Sequence, residues 1–138
     1  MAENIRLEIV TPEKSVVSED VQIVMAPGTL GEFGVLVGHT PFLTTLKVGS
    51  IRYKDAEGKD RSVFVSEGFA EALPDKVTVL AESAERRRDI DVDRARSALE
   101  RAQKLLAAED KKEEVDFARA KSALARAMQR VKAAETRQ

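Results

Sequence analysis

The hydrophobic pattern changes period partway along the chain. In the first part, apolar residues recur at every second position. Ile5, Leu7 and Ile9 alternate with Arg6, Glu8 and Val10, and Val21, Ile23 and Met25 alternate with Gln22 and Val24. Ile51 and Tyr53 alternate with Arg52 and Lys54, Val63 and Val65 flank Phe64, and Val77 and Val79 flank Thr78. Successive side chains of a strand point to opposite faces, so alternation in β-branched residues predicts half-buried strands. All 7 glycines and all 4 prolines precede residue 75, in turns such as Ala26-Pro27-Gly28, Glu57-Gly58 and Leu73-Pro74-Asp75. Many short strands, frequent turns and no strand–helix alternation predict a sandwich or barrel.

From Asp75 onward there is no glycine or proline, and alanine, arginine, lysine, leucine and glutamate dominate. These are strong helix formers. Asp91 is placed to cap a helix, with Asp93 favourable at its positive end. Ala95, Ala98, Leu99, Ala102, Leu105 and Leu106 then form one apolar stripe, and Phe117, Ala120, Leu124, Ala127, Val131 and Ala134 form a second. The second stripe has the alternating three- and four-residue spacing of a helix–helix seam. The charged segment 109–113 between them is a short connection, so the two helices make an antiparallel hairpin. The fold class is therefore segregated α+β: a β-sandwich over residues 1–86, then a two-helix hairpin over residues 87–138. An alanine-rich seam buries little apolar area, so the hairpin should dock weakly and yield to trypsin before the sandwich does.

Composition sharpens this picture. With 138 residues, 34% of them charged and only 4% aromatic, the chain can bury only a thin core, so a partner surface is expected to complete its stability. There are no cysteines, hence no disulfides or thiol chemistry. No apolar run of about 20 residues is present to span a membrane, and the first ten residues do not read as a signal peptide. The net charge of -1 conceals a split: residues 1–84 carry 8 basic and 13 acidic side chains, residues 85–138 carry 15 and 11. A basic helical part suits an acidic partner or an anionic ligand. Its bases are interleaved with acids and lack an aromatic stacking platform, which argues against nucleic acid.

No catalytic chemistry is legible. His39 is the sole histidine and has no cysteine or histidine to share a metal with. The glycines at 28, 31, 34 and 38 lack the following Gly-Lys-Ser/Thr and helix of a phosphate loop. Arg126 and Arg130 lie on one helix face. An antiparallel hairpin would bring them towards Asp91 and Arg94, where arginine forks around a carboxylate suit a nucleotide; a solvated charged face is the plainer reading.

The run Gly31-Glu32-Phe33-Gly34-Val35-Leu36-Val37-Gly38-His39-Thr40-Pro41-Phe42-Leu43-Thr44 resembles the signature of epsilon subunits of bacterial F-type ATP synthases. Val77-Thr78-Val79-Leu80-Ala81-Glu82, Asp89-Ile90-Asp91 and Val115-Asp116-Phe117-Ala118 extend the likeness along the chain. The resemblance implies a flattened sandwich of about ten strands. It implies a non-catalytic rotor subunit of the central stalk that binds the gamma subunit and the c-ring, with Glu32 and His39 at those contacts. It implies a hairpin that inhibits ATP hydrolysis when it extends towards the alpha and beta subunits. Some relatives bind ATP in the folded hairpin; the pattern Ile/Leu-Asp-x-x-Arg-Ala with Arg-x-x-x-Arg is matched here by Ile90, Asp91, Arg94 and Ala95 with Arg126 and Arg130, and Glu85 and Arg101 match further positions of that site. ATP would then be a regulatory ligand rather than a required cofactor. The implied location is peripheral, on the cytoplasmic face of the membrane, with membrane contact only through the complex. The rival reading is a stand-alone nucleotide-sensing module, which should not carry a large exposed apolar patch.

Overall fold

A computed structural model describes residues 3–107 and 114–135. The 109–113 connection lies outside the described residues. Nine strands are present among them, against the about ten expected of two packed sheets. They are β1 (Ile5–Val10), β2 (Ser15–Gly28), β3 (Gly31–Val35), β4 (Phe42–Leu46), β5 (Gly49–Asp55), β6 (Asp60–Val65), β7 (Gly68–Ala72), β8 (Lys76–Ala81) and β9 (Ala84–Arg86). A short 3-10 turn (Arg87–Asp89) leads into helices α1 (Val92–Ala107) and α2 (Glu114–Glu135).

The strands run β1-β8-β7-β4-β2-β5-β6-β9, with β1 and β3 also paired to β2. The fourteen-residue β2 is therefore the hub. Its first half pairs with β1 and its second half with β3, while β5 takes the opposite edge. β1 and β8 pair in parallel, and the other pairings are antiparallel. The core between the layers holds Ile5, Leu7, Ile9, Val17, Val21, Ile51, Tyr53, Val63, Val65, Val77 and Val79, as the alternation predicts.

One strand departs from it. Along β2 the buried side chains run Val17 and Val21, then Val24 and Ala26, while Ile23 and Met25 are only half-buried. The register with β5 shifts between Val21 and Ile23. An extra residue at that bulge turns the following side chains over, so Val24 rather than Ile23 enters the core.

Both helices lie where the periodicity puts them, and α1 and α2 pack on each other. In the expected seams, Ala95, Ala102, Ala120 and Ala127 are buried. Two members are not: Leu105 is 48% exposed and Phe117 55%, so the inter-helix seam does not reach the far end of the hairpin as drawn from sequence. At the near end the hairpin rests on the sandwich instead. Phe64 packs with Ile90, Ala95 and Ala133, and Val48, Val131 and Ala134 close around them. Val63 and Val65 face the inner core and Phe64 faces the helices. The unbroken apolar run is that of a strand covered on both sides.

Candidate functional site

Two regions collect the residues singled out by the sequence. The first is the hairpin base. Asp91 caps α1: its carboxylate Oδ1 accepts from the Arg94 amide at 3.0 Å. That satisfies one of the free amides of the first turn. Glu85, on β9, receives Arg130 Nε at 2.8 Å, and the Arg130 guanidinium lies 4.5 Å from the Phe64 ring centre. Arg130 is thus held by a carboxylate and a ring face together. Ile90 and Ala95 are buried beside Phe64. Arg94 and Arg101 are exposed on α1 and Arg126 is half-buried on α2. The structure therefore joins Glu85 to Arg130 and groups Ile90 with Ala95. The expected ring of Asp91, Arg94 and Arg126 is not joined by ion pairs among the described residues. The contact that ties the two helix ends runs instead between Arg96 and Glu135, at 2.7 Å.

The second region is the signature run. Its glycines belong to the β2–β3 hairpin and the turn after it, which is strand and turn geometry rather than a phosphate loop. Glu32 is exposed at the start of β3 and pairs with Arg52 of β5. His39 Nδ1 donates to the Thr40 carbonyl at 2.7 Å, and its ring meets Phe42 edge-on at 5.0 Å. Phe42 in turn meets Phe33 at 5.1 Å. His39 is held as a structural member of an aromatic cluster.

Sequence reasoning missed a third feature. The outer face of β4, β7 and β8 carries Leu43, Phe69 and Leu80, which are 70%, 47% and 45% exposed. Phe69 pairs across the strands with Leu80, and Leu80 with Val10, so these side chains lie side by side. Val10, Phe69 and Leu80 border an open cleft of about 620 Å³ together with Thr11, Pro12 and Glu67, and Leu43 lies on the same face opposite Glu71. Leu43 and Leu80 sat in the polar phase of strand patterns, which was the available signal.

Residues 4–87 match the family described as ATP synthase, Delta/Epsilon chain, beta-sandwich domain, and residues 88–135 match its long alpha-helix domain. The chain belongs to the ATP synthase delta/epsilon chain family. An ATP synthase epsilon chain of Desulfosudis oleivorans is 68% identical over 106 residues, 77% of this chain and 80% of that one. Another, of Desulfatibacillum aliphaticivorans, is 72% identical over 106 residues, 77% of this chain and 75% of that one. A chain in the Euglena gracilis mitochondrial ATP synthase assembly superposes with a TM-score of 0.79 at 24% identity, covering 93% of this chain and 79% of that one, and shares the fold. Within the family the chain is of the epsilon type, a subunit of ATP synthase. None of its described helices is long and apolar enough to cross a membrane, and the described residues contain no cluster of metal-ligating side chains.

Proposed function

We propose that this epsilon chain is a non-catalytic coupling and regulatory subunit: the sandwich anchors it to the gamma subunit and the c-ring, and the hairpin is a detachable arm that inhibits ATP hydrolysis. The observation that carries the reading is the way the hairpin is seated. It rests on the sandwich through Phe64, Ile90, Ala95 and Ala133, an ion pair from Glu85 to Arg130, and the Arg130 cation over the Phe64 ring. Alanine contacts bury little area, and an ion pair whose side chains remain 29% and 33% exposed adds little, so the docked and undocked states differ by only a few kcal/mol. The exposed Leu43–Phe69–Leu80 face supports the anchor and speaks against a stand-alone nucleotide sensor. Glu32 and His39 would lie at the rotor contacts. The basic hairpin would meet the alpha and beta subunits.

ATP would bind the docked hairpin, with Arg126 and Arg130 on its phosphates and Asp91, Arg94, Arg101 and Glu85 around them, and so favour the docked state. Arg130 would have to share itself between Glu85 and the nucleotide.

The test is ATP hydrolysis by a catalytic head depleted of this subunit, given either the full chain or a fragment ending at Arg86, which keeps β9 in the sheet. Inhibition by the full chain alone supports the arm. Equal inhibition by both removes it. Calorimetry with ATP, in which Arg126→Ala should abolish binding, tests the nucleotide role separately.

A further inference from the structure

On the side of β9 away from Glu85, a small cleft is lined by Tyr53, Arg61, Ser62, Arg86, Arg87 and Arg88. Four of its six lining residues are arginines. Three of these have acidic neighbours: Arg61 holds Asp55 at 3.1 Å, Arg86 lies 3.7 Å from Glu19, and Arg88 lies 4.0 Å from Asp89. Arg87 has no ion pair among the described residues, and its Nε, though buried, has no hydrogen-bond partner among them. The Tyr53 hydroxyl is in the same position. Tyr53 is only 3% exposed, so this is a buried polar group at the inner wall of the cleft.

Both orphaned groups point to the same kind of missing partner. The Arg87 Nε–H can only donate. Burial, seconded by the nearby Glu19 carboxylate, pushes the Tyr53 hydroxyl above its ordinary range, which keeps its proton on at neutral pH. Each buried donor without an acceptor carries a desolvation penalty. An acceptor that serves two donors and also suits guanidinium forks is an oxyanion. The cleft volume of about 40 Å³ admits a single small group and leaves no room for a nucleoside.

We propose that this cleft binds a phosphate-type oxyanion, with Arg87 and the Tyr53 hydroxyl as its central donors and Arg61, Arg86 and Arg88 around it. The site is separate from the hairpin nucleotide site. It spans β5, β6 and the 3-10 turn that carries the chain into α1, so an anion there ties the sandwich to the root of the hairpin. Free phosphate and the terminal phosphate of a nucleotide share this chemistry.

Amide NMR titrations of the full-length protein at constant ionic strength, with inorganic phosphate alone and with ATP alone, distinguish the two sources. Saturable shifts around residues 53, 61 and 86–88 are expected. Arg87→Gln should weaken the response by about tenfold or more, and the isosteric Tyr53→Phe by a few-fold. Tyr53→Phe removes one atom from the core, so it preserves a test if Arg87→Gln folds poorly. The absence of a saturable response to either ligand, or a response unchanged in both variants, overturns the proposal and leaves water as the acceptor. So does ATP binding that Arg126→Ala abolishes and Arg87→Gln leaves intact, with no response to phosphate. That outcome would leave the hairpin nucleotide site standing.

Discussion

Asp55 illustrates how one carboxylate closes a turn. Its oxygens accept from the Lys59 amide at 2.9 Å, the Glu57 amide at 3.0 Å and Arg61 Nε at 3.1 Å. The Lys59 amide foremost, with Arg61 and Glu57, outweighs burial and holds the carboxyl below its ordinary range. A depressed folded-state value means that the stabilisation is present above about pH 4 and is lost as the pH falls through the folded value. Asp55→Asn should therefore lower the denaturant midpoint at pH 7, with the difference from the native chain shrinking towards pH 2. Gly68 makes a different kind of demand. A Cβ there would lie 2.0 Å from the Leu80 carbonyl oxygen and 2.8 Å from the Ala81 Cα. Those atoms are backbone and cannot swing away. Gly68→Ala should cost about 1–3 kcal/mol in equilibrium unfolding.

At the scale of elements, the decisive contact is between α2 and the β6 face. Ala133 is buried against Phe64, while the rest of the docking surface is mostly alanine and valine. Ala133→Glu would bury a carboxylate there, and undocking avoids that cost more readily than unfolding the sandwich does. Amide exchange in α1 and α2 should speed by about tenfold or more, while β1 and β8 keep their native protection. Trypsin should then cut the hairpin first. Equal acceleration in β1 and β8 would mean that hairpin and sandwich unfold as one unit. Arg130 adds orientation to this surface, because Glu85 fixes its guanidinium over Phe64.

At the scale of the whole molecule, three surfaces stand out: the apolar β4–β7–β8 face, the hairpin, and the arginine cleft where the sandwich leads into the hairpin. Leu43 is far enough out that Leu43→Glu should change stability by less than about 0.5 kcal/mol. In a reconstituted assembly, however, the same substitution should weaken retention of the subunit, because it places a charge in an apolar contact. Pull-down of the central stalk with native and variant chains measures this. Undiminished retention would move the anchor elsewhere on the sandwich.

The sequence by itself determined the two-part architecture, the strand faces of β1, β5 and β8, and the cap at Asp91. Each follows from local periodicity or from a residue's bonds to its own turn, which neighbours in sequence specify. The signature run, with the segments at residues 77–82, 89–91 and 115–118, also pointed to the family. Tertiary structure alone decided the rest. The bulge in β2 exchanged Ile23 for Val24 in the core, since register depends on the partner strand. Phe64 became the seat of the hairpin because two layers cover β6. Arg130 met Glu85 across a separation of 45 residues. Tyr53 and Arg87, far apart in the chain, came to line one cleft. Such contacts are set by how sheets and helices stack, and no sequence window contains both partners.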